Sequence, residues 1–135
     1  MSKYRDNLPQ LEGGRFLTDG GLETTMIFHE EMDLPHFAAF DLLTSSNGKD
    51  KLSKYFHEYC QLANKYKVGF ILEAVTWRAS MDWATKLGYS EAELKDLLHQ
   101  SIQMFEPYRA QYENQETKII FSGCIGPRGD GYVPG

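Results

Sequence analysis

The stretch "VGFILEAVTW", residues 68–77, decides how this chain is read. It is almost continuously apolar, has no helical period, follows Gly69 and contains a single charge, Glu73. Such a run suits a strand buried on both faces of a parallel sheet. Immediately before it, Leu52, Tyr55, Phe56, Tyr59, Leu62, Ala63 and Tyr66 recur at three- and four-residue steps. That spacing predicts an amphipathic helix over 50–67, with Asp50 or Ser46 as its cap. Two further short apolar runs, "RFLTDGG" (15–21) and "KIIFSG" (118–123), read as a first and a third strand. "HFAAFDLL" (36–43) is apolar but too short to assign.

Between the second and third runs, "SMDWATKLG" predicts a short helix closed by Gly88. Ser90 and Glu93 then form an S-x-x-E capping box for another helix, whose buried face carries Leu94, Leu97, Leu98, Ile102 and Phe105. Pro107 has no backbone donor and ends or kinks that helix. Strands alternating with crossovers of this length predict parallel pairing and an α/β fold.

Composition narrows the partners. With 135 residues, 41% hydrophobic and 13% aromatic, the chain can build the core of one domain. The net charge of -5, without a lysine or arginine cluster, argues against a nucleic-acid groove or an anionic membrane surface. Small-molecule chemistry is the class left open. The polar start "MSKYRDNLPQ" lacks the apolar region of a signal peptide, and no apolar run approaches membrane-spanning length, so a cytoplasmic location is expected. Cys60 and Cys124 are too few and too far apart for a disulfide framework or a CxxC metal site, and are expected as free thiols.

All three apolar runs end in polar or small residues: Asp19 with Gly20 and Gly21, Glu73 with Thr76, Ser122 with Gly123. Ligands of parallel α/β folds sit at that edge of the sheet. Asp19 there could hold an ammonium group, ligate a metal or cap the following helix. Glu73, read as buried, needs an ion-pair partner or a ligand. The glycine-rich end "GCIGPRGDGYVPG" lacks G-K-[ST] and does not match G-x-G-x-x-G, so it is no phosphate loop, and its "RGD" is a chance tripeptide. His29, His36, His57 and His99 show no metal-ligand spacing. Cys60 belongs to a helix face and reads as core, whereas Cys124 lies at the mouth of the third strand. No residue is assigned as catalytic, and no metal ligand is assigned.

Taken together, "LTDGGLETTM", "EAVTWRAS" at 73–80, "KLGYS" and "SGCIGPRGDGY" at 122–132 resemble the homocysteine S-methyltransferase family, in order and spacing, from about residue 15 onward. The resemblance implies the N-terminal portion of a (β/α)8 barrel: its first two β/α units and third strand, in a single partial domain over 1–135 that stops short of the roughly 250 residues a complete barrel takes. It implies a zinc-dependent thiol S-methyltransferase of methionine biosynthesis, in which a homocysteine-type thiolate on zinc attacks the methyl group of a donor such as S-methylmethionine, betaine or a methylfolate. In the family three cysteines hold the zinc, at positions beyond this sequence. Zinc is therefore expected for the complete domain and not for these residues alone, which are expected to be inactive by themselves.

The same resemblance places Asp19, Gly20, Gly21, Glu73 and Thr76 on the amino-acid side of the substrate pocket, with Asp19 on the amino group of the substrate and adjacent backbone near its carboxylate. Ala74 and Arg78 depart from the residues commonest in the family segment, and "LETT" replaces the commoner "MGTE". The alternative is a non-catalytic half-barrel that binds a ligand or partner, associating with itself through open sheet edges.

Overall fold

The structure, a computed structural model, describes residues 3–133. Residues 1, 2, 134 and 135, which the expected domain includes, lie outside the described residues. Three strands, β1 (Phe16–Thr18), β2 (Gly69–Glu73) and β3 (Ile119–Ser122), form one sheet in the order β1-β2-β3. Both pairings are parallel, with Leu17 opposite Phe70 and Leu72 opposite Phe121. The protein is α/β, and sequential parallel strands joined through helices are compatible with the start of a (β/α)8 barrel.

Five α-helices cover one face of the sheet or lead into it: α1 (Leu22–Phe28), α2 (Ser46–Tyr66), α3 (Met81–Ala84), α4 (Glu91–Gln103) and α5 (Glu106–Tyr112). The helix predicted over 50–67 starts four residues earlier, and neither Asp50 nor Ser46 caps it. Ser45 does, its hydroxyl accepting from the Gly48 N–H at 3.0 Å. Position 48 must be glycine for a separate reason: a Cβ there would overlap the backbone carbonyl of Leu42. Gly48→Ala is expected to destabilise the full chain by about 1–3 kcal/mol, seen as a lower urea midpoint at unchanged slope.

The stripe of α2 that enters the core is Leu52, Phe56, Cys60 and Ala63, flanked by Tyr55. Leu62 and Tyr66 stay exposed because they lie on the next row around the helix. The Ser90–Glu93 capping box is present, with Glu93 Oε2 accepting from the Ser90 N–H at 2.8 Å. Gly88 closes the short helical segment after β2 at φ 85°, and Pro107 sits in the first turn of α5. "HFAAFDLL" forms 3-10 turns over Pro35–Phe37 and Ala39–Thr44, burying Phe40, Leu42 and Leu43 against α2 and α4.

β2 is not buried on both faces. Phe70 and Leu72 point into the helical layer with Leu17, Ile119 and Phe121, whereas Ile71 is partly open and Glu73 exposed. The face that carries Ile71, Glu73 and Ile120 is covered only in part, with Ile120 buried and Glu73 open to solvent, so Glu73 needs no ion-pair partner. The outward edge of β3 is closed in part: the Ile119 N–H donates to Glu113 Oε2 at 3.1 Å, and Arg109 donates to the Ile119 carbonyl from Nη2 at 3.1 Å. No helix among the described residues is long and apolar enough to cross a membrane.

Candidate functional site

β1 ends at Thr18, and the chain turns through Asp19, Gly20 and Gly21 into α1. Gly21 occupies the helix N-cap at φ 65°, a conformation that costs glycine nothing. Asp19 does not cap α1. Its Oδ2 accepts from the Tyr55 hydroxyl at 2.9 Å, with the Gly20 carbonyl at 3.1 Å from the same hydroxyl. Tyr55 is positioned by the core-facing side of α2, so the helical layer orients the carboxylate at the strand end.

Asp19, Gly20, Gly21 and Glu73 line one small cavity of about 90 Å³ at the C-terminal end of the sheet, together with Glu23 and Trp77. Four of the five residues expected at a substrate pocket thus meet there. The fifth, Thr76, does not line it. Its Oγ1 donates to the Cys124 carbonyl at 2.7 Å and accepts from the Cys124 N–H at 2.9 Å, tying the end of β2 to the loop after β3. A wider cleft of about 580 Å³ lies at the opposite, N-terminal end of the sheet, lined by Arg15, Lys67 and Lys118. Two of these cations are already engaged, Lys67 with Glu116 at 3.2 Å and Lys118 with the Asn114 carbonyl at 3.1 Å.

Three carboxylates converge on the small cavity, and they interact. Burial raises the pKa of Asp19 and the charge of Glu73 adds to the rise, while the hydrogen bond from Tyr55 opposes it. Burial likewise raises Glu23, with Asp19 and Glu73 contributing and Arg78 opposing. Tyr55 is itself raised, by burial and by the charge of Asp19, so it remains a proton donor. The Cys124 thiol is pushed up by burial and then by Glu73, Glu23 and Asp19. A negative field of this kind favours cationic groups and disfavours a thiolate.

The described residues do not fit a zinc site. Cys60 is fully buried in the core, its thiol pushed up to about 12 by burial, and Cys124 is partly buried in the loop after β3. Among the described residues no group of three His, Cys, Asp or Glu side chains could hold a metal ion. His57 instead meets the Tyr112 hydroxyl at 2.9 Å, and His36 packs against Trp83.

The loop after β3 is docked on the turn after β2. Arg78 is buried, 3% exposed, with its guanidinium between the rings of Trp77 and Trp83, 4.4 and 4.0 Å from their centroids. Its Nη1 donates to the Gly129 carbonyl at 3.2 Å and its Nη2 to Asp130 Oδ1 at 3.1 Å. Trp83 Nε1 donates to the same Gly129 carbonyl at 3.1 Å, and Asp82 accepts from the Gly129 N–H and from Arg128. The "RGD" tripeptide is therefore engaged within the chain itself. Its exposed Arg128 pairs with Asp82, and its aspartate pairs with Arg78.

Glu23 was not legible as a site residue in the sequence. It reads as the ordinary acid of a helix first turn. A family model described as homocysteine S-methyltransferase matches residues 16–135. Comparison with curated proteins and with solved structures gives no significant match.

Proposed function

Because the chain belongs to the homocysteine S-methyltransferase family, we propose that it supplies the amino-acid-binding side of a pocket in which a homocysteine-type thiol is methylated. The convergence of Asp19, Glu23 and Glu73 beside the Gly20–Gly21 turn carries this reading. Asp19, held by Tyr55, takes the substrate ammonium as a charge-assisted hydrogen bond. The two glycines leave the backbone bare where the substrate carboxylate approaches, since neither has a neighbour within 3.5 Å of a Cβ built on it. The carboxylates that raise the Cys124 thiol would equally oppose a substrate thiolate beside them, so the thiol end points away from this cluster.

The three strands are read as the first part of a (β/α)8 barrel, whose ligand edge is this one. In the transfer the thiol sulfur forms a bond to the donor methyl carbon as the bond from that carbon to the donor heteroatom breaks, the heteroatom keeping the electron pair and the thiol proton passing to solvent. A zinc ion, where the complete domain holds one, would take its cysteines from outside the described residues.

The test is titration calorimetry of the chain with L-homocysteine, beside circular dichroism as the check on folding. Saturable binding is expected. Absence of binding, from protein that is folded, contradicts the reading.

A further inference from the structure

Resting on the functional reading above, we propose that Arg78 is a positioning residue: it latches the 124–130 loop onto the turn after β2 and thereby fixes Trp77 as a wall of the ligand cavity. Trp77 lines that cavity, while Arg78 does not. The guanidinium nonetheless fills the gap between the two indoles, and both of its Nη groups are spent on the loop. Its Nε is buried without a partner among the described residues, so hydrogen bonding alone does not explain why it is there. A planar cation that stacks on two faces while forking to a carbonyl and a carboxylate is a role lysine does not reproduce.

The loop meets Trp77 from a second direction. A Cβ at Gly126 would overlap the Trp77 carbonyl and press on its ring, so only glycine lets the loop lie this close. Tyr132 then packs edge-on against the Trp77 indole, with centroids 5.9 Å apart. Thr76 and Cys124 fix the near end of the loop, and Asp82 with Trp83 fixes its far end at Gly129. Residues some fifty positions apart in the chain thus hold one indole in one place. The charge of Arg78 also reaches Glu23 in the cavity, so the latch acts on the pocket's field as well as its shape.

The test compares the wild-type full chain with Arg78→Lys, Gly126→Ala and the double variant. Titration calorimetry with L-homocysteine is paired with the rate at which trypsin cuts after Arg128, scored by peptide mass. Arg78→Lys is expected to weaken binding about tenfold and to speed that cut, because Gly129 is released. Gly126→Ala is expected to do the same from the other side, and the double variant to lose no more affinity than either single one, as expected for one shared latch. Additive losses, or lost affinity with unchanged cleavage, or faster cleavage with unchanged affinity, each overturn the proposal.

Should Arg78→Lys fail to fold, Asp130→Asn removes only the partly exposed partner and is expected to shift both readouts in the same direction. No shift in either would overturn the latch. If the wild type does not bind homocysteine, the functional reading falls. The latch is then judged by cleavage after Arg128 together with the emission of Trp77 and Trp83, and no change in either on Arg78→Lys overturns it.

Discussion

Asp19→Asn is expected to cost the full chain roughly 10- to 100-fold in affinity for L-homocysteine while leaving its melting temperature at neutral pH unchanged or higher. The first half follows from replacing a charge-assisted hydrogen bond to an ammonium with a neutral one. The second follows from the sign of the pKa shift. Burial and the charge of Glu73 raise Asp19 in the folded protein, so the folded state holds its proton more tightly than the unfolded chain does. A carboxyl raised in this way contributes stability that is fully present below its unfolded pKa and is lost as pH rises through its folded pKa. Glu23 is raised by burial with Asp19 and Glu73 contributing, and it acts in the same direction. Stability should therefore decline from mild acid towards neutrality through these two groups. In Asp19→Asn the decline should be shallower, because the amide has no proton to lose yet still accepts from Tyr55. Thermal melts between pH 4 and 8, beside calorimetric titration, separate a ligand-binding carboxylate from a structural one. If Asn lowered the melting temperature and spared affinity, Asp19 would be structural.

Phe56→Ala should be the most damaging single core substitution, at about 3–5 kcal/mol, a large share of the 5–15 kcal/mol that holds a typical domain folded. Phe56 is completely buried at the centre of α2. Its ring meets Phe105 edge-on at 5.0 Å, Tyr55 at 5.3 Å and Tyr108 at 6.4 Å, so its loss leaves a cavity that three aromatic neighbours cannot close. The consequence reaches the site, because Tyr55 is the adjacent residue and its hydroxyl orients Asp19. Urea unfolding of the full chain measures the effect, and Phe56→Leu should lose about a third as much. Equal losses from both substitutions would show that ring packing, rather than volume, sets the stability of this layer.

The parts of the molecule governed by local rules were legible in the sequence. The Ser90–Glu93 box, the Gly88 stop and the three strand positions depend on residues within a few places of one another. Strand lengths were overread: β2 ends at Glu73, since the Ala74–Trp77 segment turns away and spends its polar groups on the loop after β3. Glu73 was misread as buried because apolar neighbours in sequence point to the opposite face of the sheet. In the candidate site, Asp19 and the glycines stood out because a polar residue closes a β-branched or apolar run. Arg78 stood out only as a departure from the family pattern. Its place between Trp77 and Trp83, with Gly129 and Asp130 beyond, depends on contacts some fifty residues apart that no local pattern encodes.

If the strand-end carboxylates receive the amino group of a thiol amino acid, removing that amino group must cost affinity. Titration calorimetry with L-homocysteine and with 4-mercaptobutyrate, the same molecule without its amino group, tests it most directly in wild type and in Asp19→Asn. The wild-type full chain should prefer homocysteine by roughly tenfold or more, and Asp19→Asn should bind the two compounds almost equally. An undiminished preference for homocysteine in Asp19→Asn would place the amino group elsewhere and contradict the account.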